Sequence, residues 1–119
     1  MNIVDQISAH VAAVDAAHVL ICIDGPAGAG KTTLADALVA VLEDAQVVHM
    51  DALYNGWDDA LSDDLTYRLV HQIRDPFLDG QPVIYAAYDW YEGAFGITEQ
   101  LPAARILIVE GVGAAQRRM

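Results

Sequence analysis

Three glycines within six residues, followed by the chain's only lysine and two threonines, constrain this sequence more than any other feature. The stretch Gly25-Pro26-Ala27-Gly28-Ala29-Gly30-Lys31-Thr32, continued by Thr33, fits the pattern G-x-x-x-x-G-K-[ST] at every fixed position. What flanks it matters as much. Val19-Leu20-Ile21-Cys22-Ile23 is a continuous apolar run, as expected of a strand buried on both faces of a parallel sheet. After the loop, Leu34, Ala37, Leu38, Val41 and Leu42 recur at helical spacing. A strand, a glycine loop and a helix in that order bind phosphate for a physical reason. Glycines let successive backbone N–H groups turn inward onto an anion, and the helix that follows adds its positive end. Lys31 is placed to reach the outer phosphates of a nucleotide, and Thr32 offers a hydroxyl to Mg²⁺.

Composition narrows the partners. At 119 residues the chain has length for one small domain, and at 55% hydrophobic it has material for a core. Seventeen acidic against six basic residues leave a net charge of −11, which argues against a nucleic-acid or anionic-membrane surface. An anionic nucleotide is then held by local donors and Mg²⁺ against an unfavourable long-range field. The single cysteine, Cys22, falls inside the first strand, so no disulfide framework exists and a reducing, cytoplasmic setting is expected. No signal peptide or apolar run of spanning length is evident.

Taken in order, residues 2–17 place Ile3, Ile7, Val11 and Val14 on one face of a helix. His10 and His18, with no companion ligands nearby, read as ordinary solvated or satisfied histidines. Gln46-Val47-Val48-His49-Met50 reads as a second buried strand ending at Asp51, with Ala52-Leu53-Tyr54 following. Ligands in parallel sheets sit beyond the carboxyl ends of strands, so Asp51 is placed for chemistry, although a strand-end Asp also suits a plain turn. Ser62 caps a helix running to Ile73, stopped by Asp75-Pro76. The aromatic run from Pro82 to Tyr91, with Gly93 and Gly96 soon after, predicts a hairpin or loop. Its Tyr85, Tyr88, Trp90, Tyr91 and Phe95 fit either packing or contact with a ring-shaped polar ligand around Asp89. Arg105-Ile106-Leu107-Ile108-Val109-Glu110-Gly111 is a third buried strand, ending in a carboxylate.

The order of these pieces resembles the uridine kinase / phosphoribulokinase-like branch of phosphate-loop kinases. The resemblance rests on residues 25–32, the Asp51-Ala52-Leu53-Tyr54 cluster, Tyr88-Asp89-Trp90 and Ile108-Val109-Glu110-Gly111, and spans the chain from about residue 19. It implies a three-layer α/β sandwich with a parallel sheet in order 2-3-1 and helices on both faces. It implies ATP and Mg²⁺ as cofactors, with residues 25–33 (Ala27 and Ala29 included) around the phosphates. Lys31 and Asp51 would be catalytic, Asp51 as general base. Thr32, Asp51 and Glu110 would serve the metal, while Tyr54, Tyr88 and Asp89 would flank a small hydroxyl-bearing metabolite such as a nucleoside.

Three departures qualify that picture. Nucleoside kinases of the branch carry a base-reading His a few residues beyond the Tyr-Asp-aromatic element, where this chain has Glu92-Gly93-Ala94-Phe95. Members continue past the third strand with further strands and an arginine-bearing lid, and Arg117 and Arg118 come too early to be that lid. In the branch the first strand lies between the third and a later fourth, so its outer edge is expected to be open here. The expected protein is thus the N-terminal part of such a kinase, C-terminal strands and lid missing: a truncated gene product, a chain completed by another chain, or a homo-oligomer. The alternatives are a nucleotide or other metabolite kinase of the same superfamily, or a non-catalytic ATP-binding or assembly module.

Overall fold

The computed structural model describes residues 2–26, 28, 30–56, 62–115 and 119. Its centre is a three-stranded parallel sheet of β1 (Val19–Ile23), β2 (Ala45–His49) and β5 (Ile106–Glu110). β5 lies in the middle, paired with β1 from Val19↔Ile106 to Ile23↔Glu110 and with β2 from Ala45↔Ile106 to His49↔Glu110. Numbered by position in the sheet-forming sequence this is the expected order 2-3-1. All five residues of β5 are buried, since strands flank both edges and helices cover both faces. Each such aliphatic side chain taken out of water is worth about 1.5–3 kcal/mol.

The strand period of two sorts β5 between two cores. Ile106 and Ile108 pack with Val11 of α1 (Ile3–Ala13) and with Ala35 and Leu38 of α2 (Lys31–Val41). Leu107 and Val109 pack on the other face with Val48, Met50, Leu53, Leu65, Leu69, Ile73 and Phe77. That second layer is one bent helical segment, α3 (Asp63–Arg68), a π-helical turn (Leu69–Arg74) and α4 (Asp75–Leu78). An antiparallel hairpin of β3 (Val83–Asp89) and β4 (Ala94–Leu101) completes it, with Val83 and Tyr85 turned into the core.

Several expectations are corrected. α1 ends at Ala13, earlier than predicted; Asn2 caps it by accepting from the Asp5 N–H at 2.9 Å, and Ile3 stays 56% exposed. In α2 Val41 is exposed and Ala35 is fully buried, because the helix presents its Ala35–Leu38 side to β5. Pro76 does not stop the second-layer helix. The wider π turn before it relieves the clash a proline makes with the preceding turn, and the helix runs on to Leu78. β1 is half-buried along its length rather than buried on both sides, since among the described residues it pairs with β5 alone. An apolar groove of about 470 Å³ runs between that open edge and α1, from Ile3 to Cys22.

Candidate phosphate-binding site

Parallel register brings Ile23, Glu110 and His49 level at the carboxyl end of the sheet. Everything beyond that line faces a common space, where α/β sheets hold ligands. The loop leaving β1 reaches α2 through Gly30, whose φ of +87° is open to glycine and leaves no atom within 4 Å of where a Cβ would stand. α2 therefore begins at Lys31 with its positive end toward the loop. The Lys31 ammonium donates to the Pro26 carbonyl at 2.6 Å, folded back over the loop it serves.

Asp24, just before the glycine motif, ties this loop to the segment after β5. Its Oδ1 accepts from the N–H of Gly25 at 2.7 Å and of Gly113 at 3.0 Å, and its Oδ2 accepts from Ala115 at 3.1 Å. Burial alone would raise this carboxyl, but those three donors and the nearby Lys31 charge hold it below the ordinary value of 3.8. Sequence reasoning did not single out Asp24.

Glu110 ends β5 as a buried carboxylate, 4% exposed. Its Oε1 accepts from the Thr32 hydroxyl at 3.1 Å and lies 2.6 Å from His49 Nδ1, which donates when that nitrogen carries the proton. On the other side of the ring, His49 Nε2 stands 3.8 Å from Asp36 Oδ1. His49 was read from sequence as a strand residue only. Its pairing with Glu110 depends on β2 and β5 being neighbours, which spacing alone does not state.

Asp51, itself exposed, is the middle residue of a 3₁₀ turn (Met50–Ala52) directly after β2. The turn passes close to Gly111, where a Cβ would come within 2.6 Å of Met50 Cβ, so only glycine fits there, at φ +146°. Tyr54 follows with its ring in the core and its hydroxyl donating to the Val112 carbonyl at 2.5 Å. Burial, reinforced by the charges of Asp51, Asp24 and Glu110, has its phenol pushed up to about 12.

Gly28, Lys31, Thr32, Asp51, Tyr54, Glu110, Gly111 and Val112 thus enclose one cavity of about 210 Å³. Thr33 lies round the loop, in a shallower recess with Gly28 and Gly30. Ala27 and Ala29 lie outside the described residues. Tyr88 and Asp89 do not line the cavity. They sit on the hairpin, where Asp89 Oδ1 accepts from the N–H groups of Tyr91 at 2.9 Å and Glu92 at 3.1 Å and so shapes the β3–β4 turn.

As a whole the chain superposes on a solved structure from Bacillus stearothermophilus described as a possible uridine kinase. The TM-score is 0.77 at 23% identity, over 97% of this chain and 72% of that one. The fold is that of the phosphate-loop kinases. A second solved chain, from a Silicibacter species and described as a fructose transport system kinase, superposes with TM-score 0.64 at 23% identity, over 94% of this chain and 64% of that one. Among curated proteins, an inorganic pyrophosphatase of Arabidopsis thaliana is 29% identical over 112 residues, 85% of this chain. This chain spans 17% of that relative's length and somewhat under two thirds of the Silicibacter kinase. No family profile matches the chain.

The residues present fit a Mg-nucleotide. Gly28 and Gly30 leave open space where a side chain would stand, and Thr32 beside Glu110 supplies a hydroxyl and a carboxylate to the cavity. Among the described residues no group of three or more His, Cys, Asp or Glu converges on one point. Mg²⁺ would then draw most of its ligands from phosphate and water, as it commonly does at such sites. No helix among the described residues is long and apolar enough to cross a membrane.

Proposed function

We propose that this chain forms the nucleotide-binding part of an ATP-dependent small-molecule kinase, resembling uridine kinases, that transfers the γ-phosphoryl group to a hydroxyl of a nucleoside or similar metabolite. The observation that carries the reading is the single cavity joining Lys31 and Thr32 to Asp51 and Glu110. Loop N–H groups and Lys31 bind and orient the phosphates. Thr32 and Glu110, with Asp51, are the groups that would hold Mg²⁺, which when bound neutralises charge developing on the transferred phosphoryl. Asp51, exposed at the end of β2, accepts the proton of the attacking hydroxyl. Tyr54 acts through its ring at the cavity wall, its hydroxyl being engaged by Val112. Tyr88 and Asp89 bring the hairpin to the acceptor side.

Lys31 is the only cation lining the cavity among the described residues, so binding should outrun turnover. An arginine on the phosphates is worth about 10³-fold or more in such enzymes. The test is calorimetric titration of Mg-ATP into the chain beside Lys31→Ala, followed by a panel of nucleosides, sugars and nucleoside monophosphates as acceptors. Expected are binding that Lys31→Ala weakens by about tenfold or more, and slow transfer to an uncharged hydroxyl compound. Binding with no transfer to any acceptor would favour the non-catalytic ATP-binding module instead. No binding by the folded chain would remove both.

A further inference from the structure

The turn that carries Asp51 is too short to hold itself. It is a three-residue 3₁₀ segment with one closing bond, from the Leu53 N–H to the Met50 carbonyl at 2.8 Å. One carbonyl within it and that of Leu53, the residue that closes it, are instead gripped from outside. The Trp90 indole N–H donates to the Asp51 carbonyl at 2.8 Å, reaching across 39 residues of sequence. Arg68 Nε, from the end of α3, donates to the Leu53 carbonyl at 3.0 Å.

These two donors are themselves connected. Trp90 meets Tyr88 edge-on at 4.9 Å between ring centroids, and Tyr88 meets Phe95 edge-on at 5.4 Å. The Arg68 guanidinium carbon then lies 5.4 Å from the centre of the Phe95 ring. A closed circuit results, running from the Asp51 carbonyl through Trp90, Tyr88, Phe95 and Arg68 to the Leu53 carbonyl. Both donors take backbone oxygens, so the hold does not consume the Asp51 carboxylate. Trp90 is 39% exposed, poorly placed to serve as core filling, while its N–H points inward onto the turn.

We propose that Trp90 and Arg68 are positioning residues that fasten the Asp51 turn to the β3–β4 hairpin, so that the proton acceptor is held in place by the hairpin beside it. The consequence for rate rests on the kinase reading above; the fastening itself does not. It assigns the aromatic of the Tyr-Asp-aromatic element a task its neighbours Tyr88 and Asp89 do not perform.

Trp90→Phe keeps an aromatic ring, smaller than indole, and deletes the N–H. In the full chain it should speed hydrogen exchange at the Leu53 amide by about tenfold, with melting temperature close to that of the wild type. In the acceptor assay kcat should fall by about tenfold with KM for ATP unchanged, a split that general loss of structure would not produce. If Trp90→Phe itself melts early, Arg68→Gln at the far end of the circuit provides the same readouts. Unchanged Leu53 exchange in a folded variant overturns the proposal, as does a kcat loss matched by a rise in KM for ATP. If the wild type transfers phosphate to no acceptor, the kinase reading falls while Leu53 exchange still decides whether the hold exists.

Discussion

On one wall of the cavity Lys31 opens α2 and donates to the Pro26 carbonyl, five residues back along the chain. On the other wall Asp51 stands on a turn held by groups 15 and 39 residues away, beside a glycine whose tightness is set by another strand. The difference teaches that the lysine-bearing side of the cavity takes its first contacts from sequence neighbours, whereas the Asp51 side is an assembly of distant parts. Changes in the first should act on nucleotide binding, and changes in the second on transfer.

The sharpest way to break that contrast is Asp51→Asn. Removing the proton acceptor while keeping shape should lower transfer by about 10²–10⁴-fold with the Mg-ATP affinity little changed, read by steady-state kinetics beside calorimetry. An equal loss of affinity would mean that Asp51 serves mainly the nucleotide, and the two walls would not be separate. Next comes Gly111→Ala, whose methyl would meet Met50 at 2.6 Å from a backbone at φ +146°. It should cost about 1–3 kcal/mol in urea denaturation and depress transfer more than nucleotide binding, because Met50 precedes Asp51.

The smallest effect concerns Asp24, whose carboxylate ties the start of the loop to the segment after β5. Its carboxyl is held below the ordinary value in the folded chain, so its stabilisation is present above that value and is lost as pH falls through the folded one. Denaturation midpoints of wild type and Asp24→Asn should therefore differ at neutral pH and converge only below pH 3.8. Convergence already near pH 5 would show that the three backbone donors do not stabilise the charged form.

Much of the fold was legible because its signals are local. The apolar runs at Val19–Ile23 and Ile106–Glu110, the Ser62 cap and the hairpin-forming stretch around Gly93 each fold by rules that act within a few residues. Pro76 misled because a π turn upstream, not visible as a pattern, absorbs the clash a proline makes in an α-helix. Val41 misled because helical spacing gives a stripe but not which side of it meets β5. Asp24, His49 and Arg68 were missed at the site for a shared reason. Each acts through a partner far along the chain, at separations of 89, 61 and 15 residues respectively.

By itself the sequence determined a glycine-rich loop of G-x-x-x-x-G-K-[ST] pattern between a strand and a helix, carboxylates at the ends of the two strands that follow, and an acidic chain with one lysine. Those are properties of residue type and short-range spacing, where backbone torsion and side-chain chemistry suffice. Only the tertiary structure decided that Glu110 meets Thr32 and His49, that Tyr54 spends its hydroxyl on Val112, and that Asp51 is steadied by Trp90. Those contacts follow from strand order and register, which depend on how two apolar faces of β5 are shared between distant helices.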